Sequence, residues 1–474
     1  MVEYLAFIFI TISFLFLIIK NKHFKLDDIS RIYILLSYLL KIGSGIALWY
    51  IYTYHYSDTR VNDIHKYFND GKQLAAIFKN NLSDFLSVIK GSKINNVENL
   101  KLLNEMQFWE KPNSYGIYND NQTIIIVSSI LNLLTNNHLL LAILYMSTLS
   151  FIAIFTIYKT LSPYLEFKKT FYLLLFITPS IALWTTGLLK ENLILLALTI
   201  IIYFTAKLLI KRKTIYFIGY ILGLITLMFT KPYLIGFILP SVLCFVLYNY
   251  FKVLHIKKLF FSIYTLFFMC FLIWIYTHNP VIYNYKNKSE SEKSKEYDRV
   301  NQISYQKNVL GNNYNILEML RFKQADYNHE AKLAKAKSLV NTKKMNGELS
   351  NFFACIPYGI SNGFARPHIF EIHSITYILP ALENIFILTL ILLIFIFPRK
   401  LNINQQILIF YLGTFIVITF TFLGLLVPVL GNLVRYKAPL LPLLLFSLLA
   451  LIDRSKITKF IFKNSQLFKP QLQK

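Results

Sequence analysis

Charged residues are scarce: Asp, Glu, Lys and Arg make up 15% of the 474 residues, against 55% hydrophobic. A soluble fold carries more charge than this, so a string of soluble domains is a poor reading. Acidic residues are the rarer sign, 24 against 49 Lys and Arg, which leaves a net charge of +25. No basic soluble domain of the kind that binds nucleic acid is visible. The excess reads instead as Lys and Arg marking cytoplasmic loops and meeting anionic lipid. Cysteine is confined to Cys244, Cys270 and Cys355. Two lie in apolar runs and the spacing matches no metal motif, which argues against a disulfide framework and a zinc site. GxGxxG, P-loop and DxD patterns are missing as well, so no nucleotide chemistry can be read.

Apolar runs are abundant, each of about twenty residues and long enough to span a bilayer. Their backbone must satisfy its own hydrogen bonds, so they are helices. The expectation is an all-α polytopic bundle of about eleven spans, a single integral membrane domain covering residues 1–474. Glu3 precedes the run Leu5 to Ile19, and Lys20, Lys22 and Lys25 follow it. A signal peptide has the opposite order, so this run predicts a retained helix with its N-terminus outside.

The remaining spans are expected at about 32–54, 139–158, 171–184, 192–209, 215–229, 233–250, 259–276, 372–397, 407–427 and 438–452. Residues 123–135 are expected as an interfacial helix, separated from the third span by Asn136-Asn137-His138. The short basic clusters at 20–31, 159–169, 211–213, 252–258, 399–400 and 454–459 then all fall on the cytoplasmic side. Two long polar segments, 55–122 and 278–371, fall outside, so any chemistry belongs on the outer face.

The first outer segment places Asp58, Asp63 and Asp70 within thirteen residues, just after a membrane helix. In a helix Asp63 and Tyr67 share a face. A carboxylate there suits a general base toward a sugar hydroxyl; the plainer reading is an acidic first turn facing the helix dipole. The turn after Trp184 and Gly187 carries Lys190 and Glu191, a phosphate contact or a pair of charges snorkelling to water. Lys231, before Pro232, reads the same way. The turn Gly431 to Pro439 holds Arg435 and Lys437, and a guanidinium binds phosphate in bidentate fashion. Arg366 could join them or anchor the membrane interface. Glu383 and Lys41, inside apolar runs, read as structural polar contacts facing protein or water. Lys286 to Arg299 reads as solvated, and Glu330 to Val340 as a helix on the membrane surface.

Several of these stretches carry a family likeness. The pattern Asp63-x-x-x-Tyr67-Phe68-x-Asp70-Gly71, together with Pro179-Ser180, Trp184, Gly187-x-x-Lys190-Glu191 and Gly431-x-x-x-Arg435-Tyr436-x-x-Pro439, resembles bacterial surface-polysaccharide membrane proteins. The acidic motif after an early helix is similar to the first outer loop of the membrane glycosyltransferases of the C superfamily, although here one further helix precedes it. The resemblance implies an enzyme of the bacterial inner (cytoplasmic) membrane that transfers sugar with inversion from a polyprenyl-phosphate donor to an acceptor glycan, lipid or protein. Asp63, or alternatively Asp58, would be the base. Lys190, Arg435 and Lys231 would stabilise the leaving phosphate, and a divalent metal could be a further component. Competing expectations are a surface-polysaccharide polymerase or ligase, a lipid-linked glycan transporter or flippase, and a noncatalytic scaffold.

Overall fold

The computed structural model describes residues 2–55, 62–109 except 93 and 95, 120–251, 256–277, 316–333, 336–371 except 337 and 341, and 377–467. Among these the chain is all helical and contains no strand; only two isolated bridges join extended backbone, Leu339 to Val429 and Pro398 to Ile452. The first half holds α1 (Val2–Lys20), α2 (Arg31–Tyr50), α3 (Asp63–Asn80), α4 (Leu82–Lys90), α5 (Val97–Glu105), α6 (Asp120–Thr135), α7 (Leu139–Leu161), α8 (Lys168–Ile177), α9 (Pro179–Trp184) and α10 (Lys190–Ile210). The second holds α11 (Thr214–Thr230), α12 (Pro232–Phe251), α13 (Ile256–Thr277), α14 (Ile316–Leu333), α15 (Leu349–Ala365), α16 (Ile378–Ile396), α17 (Ile403–Leu426), α18 (Leu430–Lys437), α19 (Leu441–Leu451) and α20 (Arg454–Leu467). Asp58 and the stretch 286–299 lie outside the described residues.

Among the described residues seven helical segments are long and apolar enough to cross a membrane: Glu3–Lys20, Arg31–Tyr54, Leu139–Tyr164, Lys190–Ile210, Ile378–Ile396, Ile403–Leu426 and Leu430–Leu451. Three apolar helices are shorter, Thr214–Thr230, Pro232–Tyr248 and Lys258–Cys270. The outer faces of the first and fifth of the long segments leave large apolar side chains uncovered, among them Phe9, Ile12, Phe16, Leu382, Leu392 and Phe395. Such faces match a hydrocarbon surround and the chain is built as an integral membrane protein would be.

Packing inside the bundle rests on aromatic contacts and tyrosine hydroxyls. Tyr38 meets Phe151 edge-on at 5.2 Å between ring centres and Phe14 at 4.8 Å. Each such pair contributes roughly 0.5–1.5 kcal/mol beyond burial. Tyr172 donates to Ser37 at 2.9 Å, and the Tyr220 and Tyr411 hydroxyls meet at 2.9 Å. Polar pairs of this kind join helices where apolar surface alone gives no preference between lipid and protein.

The bundle has two distinct ends. At one, Lys159 donates to the His23 carbonyl at 2.9 Å, Arg399 pairs with Glu166 at 3.0 Å, and the Arg454 backbone N–H donates to Glu166 at 2.9 Å. The basic turns after α1, α7, α16 and α19 therefore gather there. At the other end His138 pairs with Glu3 at 3.2 Å, which sets the start of α7 beside the start of α1.

Several expected boundaries shift. The helix expected at 171–184 is two pieces, α8 and α9, because Pro179 has no N–H to continue the ladder. The interfacial helix of 123–135 starts earlier and packs along α3. Its Ser128, Ser129 and Asn132 are buried, and Asn132 donates to the Phe68 carbonyl at 3.2 Å. Asn136 and Asn137, with φ of 48° and 64°, make the break before α7. Among its described residues the long segment 278–371 contains the α-helices α14 and α15, and α14 ends at Leu333. Past it, the Val340 N–H donates to the Pro428 carbonyl at 2.6 Å and the Leu430 N–H to the Ser338 carbonyl at 3.1 Å, so 338–340 is extended and not helical. The helix expected from 372 starts at Ile378, residues 372–376 lying outside the described ones.

Candidate functional site

Opposite the basic end, four helix starts and one short helix converge. Asp63 opens α3, Asp120 opens α6, Lys190 and Glu191 open α10, Lys231 sits just before α12, and Arg435 lies in α18. The start of α3 is fixed by Asn62, whose side chain accepts the His65 N–H at 3.1 Å and donates to the Tyr52 carbonyl at 2.8 Å. An Asp in that first turn also faces the positive end of the helix dipole. The turn into α10 depends on Gly187, whose φ of +70° is costly for a residue with a Cβ.

Arg435 is the hub. Its Nη1 pairs with Asp63 Oδ2 at 2.5 Å, its Nε lies 2.9 Å from Glu191 Oε1, and its Nη2 donates to Glu191 Oε2 at 3.1 Å. The partners differ in exposure: the Asp63 side chain is 33% exposed, those of Arg435 and Glu191 10% and 1%. Taking away the partner of a buried charge costs about 3–5 kcal/mol, whereas an exposed pair contributes about 0.2–1 kcal/mol. Glu191 is thus the fixed anchor of the guanidinium and Asp63 its looser partner.

A second set of ion pairs adjoins the first. Asp120 bridges two lysines, with Lys190 Nζ at 2.9 Å from one oxygen and Lys231 Nζ at 2.8 Å from the other. Lys190 also donates to Asn121 at 2.6 Å and lies 5.5 Å from the centre of the Tyr67 ring. Tyr67 donates to Asn121 at 3.4 Å, tying α3 to α6. Lys231 approaches the rings of Tyr436 and Tyr233 at 5.6 Å and 5.9 Å. Beside it lies a small void of about 10 Å³, with Tyr233, Thr419, Tyr436 and Leu440 in its wall.

The charges are set by this arrangement. Burial opposes ionisation of Asp63, but the charge and hydrogen bond of Arg435, with Lys190 and Lys66 behind, hold its carboxyl below the ordinary 3.8. Burial also opposes the charged form of Lys231, and Asp120 outweighs it, so the amine is held well above its ordinary value. Burial first, and then the Asp63 charge, push the Tyr67 hydroxyl well above 10.0, so it remains a donor.

Of the residues singled out in the sequence, Asp63, Tyr67, Lys190, Glu191, Lys231 and Arg435 come together. Asp70 serves elsewhere: its oxygens accept the N–H groups of Gln107 and Phe108 at 3.1 Å and 2.7 Å, pinning the loop after α5. Burial raises its carboxyl above the ordinary 3.8, against the pull of those N–H groups. Gly71 lets α3 close onto Ser128 of α6. The motif thus divides into two site residues, Asp63 and Tyr67, and three packing residues, Phe68, Asp70 and Gly71. Lys437 and Arg366 form a separate pair, Lys437 donating to the Arg366 carbonyl at 2.8 Å while the Arg366 side chain pairs with Glu371 at 3.2 Å.

Glu383 accepts the Ser180 N–H at 3.0 Å, and Lys41 donates to the Ile181 and Ala182 carbonyls and the Thr185 hydroxyl at 3.0, 3.2 and 2.9 Å. Both are structural contacts that hold α9. Asp120 was not singled out by sequence; its one signal is position, an acid at the first turn of an apolar helix, immediately before Asn121.

The site offers three cations and one comparatively open carboxylate, a combination that can hold a phosphate and take a proton beside it. Its carboxylates do not suit a metal: each is engaged by Arg435, Lys190 or Lys231. Among the described residues no three His, Cys, Asp or Glu side chains gather closely enough to hold one. No family model, no curated protein and no solved structure matches the chain.

Proposed function

We propose that the protein is a polytopic glycosyltransferase of the bacterial cytoplasmic membrane that moves a sugar from a polyprenyl-phosphate donor to an acceptor glycan, lipid or protein at the outer face. The observation that carries this reading is the convergence of Asp63, Lys190, Glu191, Lys231 and Arg435 at one end of the bundle. The opposite end collects the basic turns, and basic turns are retained in the cytoplasm, so the site end faces out. The seven long and three shorter apolar helices, with the broken pair α8–α9, accommodate about eleven passages.

In this reading the donor's phosphate is held by Arg435, Lys190 and Lys231, which stabilise the charge that grows on it as the sugar leaves. Asp63 takes the proton from the attacking acceptor hydroxyl, which enters on the opposite face of the sugar, so configuration inverts. A lipid-linked donor needs no nucleotide site. Asp63→Asn should remove transfer while leaving the protein folded in the membrane, measured as radiolabelled sugar passed from a polyprenyl-phosphate donor. Product formed at the wild-type rate would defeat the assignment.

A polymerase or ligase that moves a whole glycan block is the second reading, favoured by the hub being an arginine. Product length separates the two: single-sugar additions support the transferase and block additions the polymerase.

A further inference from the structure

Two features of the hub are unequal. Glu191 grips Arg435 through two contacts and is 1% exposed, while Asp63 makes one contact and is 33% exposed. The face of Arg435 covered by Asp63 is therefore the one that a ligand can reach. The Asp63 carboxylate oxygen sits against that face, and an oxygen of a phosphate pairs with a guanidinium in the same way. The same carboxylate, clamped to a guanidinium, is also a poor base, because its proton affinity is lowered by the partner.

We infer that the donor's phosphate and Asp63 compete for one face of Arg435, so that binding of a lipid monophosphate ester displaces the carboxylate and releases it as the base. The inference rests on the reading of the site as a sugar transferase and adds how its base is held until the donor binds. A phosphodiester carries one negative charge, as does the carboxylate it displaces, so the exchange leaves the charge around Arg435 unchanged. A diphosphate would add charge with no further cation released. Among the described residues, Asp63, Glu191 and Asp120 pair with Arg435, Lys190 and Lys231, and Lys66 acts on Asp63 as a further charge that the exchange leaves in place. The transfer step balances too. The acceptor oxygen forms a bond to the anomeric carbon as the bond from that carbon to the phosphate oxygen breaks. The phosphate then carries two negative charges, and the acceptor proton ends on Asp63, now neutral.

The test is binding of a polyprenyl monophosphate in its diester form, the polyprenyl-phosphoryl sugar with no acceptor present, to the full chain in detergent, compared between wild type and Asp63→Asn. Removing the competing charge should tighten binding by about tenfold while uncharged polyprenol shows no difference. The corresponding diphosphate should bind wild type more weakly than the monophosphate. Equal or weaker monophosphate binding by the variant overturns the inference, as does preference for the diphosphate. Should the variant fail to fold, carbodiimide labelling of Asp63 in wild type, mapped by mass spectrometry, gives the answer. Labelling that rises on saturation with the monophosphate supports displacement, and labelling that is unchanged or falls overturns it. Failure of the transferase reading shows separately, as absence of sugar transfer by wild type.

Discussion

Asp63 is the residue on which the electrostatics of the site and the proposed chemistry both turn. Its native value lies below its ordinary 3.8, and burial alone would have raised it, so the lowering reports Arg435. A group whose value falls on folding adds stability that is complete above its unfolded value and is lost as pH drops through the native one. The thermal stability difference between wild type and Asp63→Asn should accordingly be flat from about pH 7 to about pH 4 and shrink below that. A difference that stays flat below about pH 4, or grows as the pH falls, would show that the carboxyl is not held low. The neighbouring Lys190 and Lys66 act on the same group through their charge alone, after Arg435.

At the scale of elements, the least expected contact is between α15 and α17. Gly359, Gly363 and Gly424 meet there so closely that a Cβ on Gly363 would strike the Phe420 carbonyl, and one on Gly424 the Gly359 carbonyl. Small residues allow helices in a membrane to approach backbone to backbone. Gly363→Ala should therefore force the helices apart, at a cost of about 1–3 kcal/mol, read as a lowered melting temperature of the purified protein. An unchanged melting temperature would mean that α15 is not seated on α17. The contact also bears on the site, because α17 leads through Val427 into α18 and so to Arg435. The helix α9 plays a similar part on the other side. Its last carbonyls are held by Lys41, its first N–H by Glu383, and the turn that follows delivers Lys190 and Glu191.

For the whole molecule, the consequential property is the separation of its two ends. Lys159, Arg399 and Arg454 meet at one, and Asp63, Lys190 and Arg435 at the other. Cysteine labelling in intact cells checks the sidedness this implies. Cys270 is exposed and is first replaced by Ser; Cys244 and Cys355 are buried. A cysteine in place of Glu98, in the first turn of α5, should react with a membrane-impermeant reagent added outside, whereas one in place of Arg212, between α10 and α11, should react only after permeabilisation. Labelling of both from outside, or in the reverse order, would put the site in the wrong compartment for a lipid-linked donor at the outer face.

The sequence by itself determined the helical class, the positions of most apolar helices and the sorting of basic turns to one end. These follow from properties that act residue by residue along the chain: transfer of side chains into lipid, and retention of Lys and Arg on one side. It also singled out Asp63, Lys190 and Arg435. Which charge pairs with which was decided only by the tertiary structure. Asp63 and Arg435 are 372 positions apart, and the rotation and docking of α3, α10 and α18 bring them into contact. The same holds for Asp120, which acquires two lysine partners only because the starts of α10 and α12 are brought to the start of α6, and for Asp70, which the packing turns toward a backbone loop. A local pattern cannot encode these outcomes, because an ion pair depends on distance in space and on the water that the surrounding helices exclude.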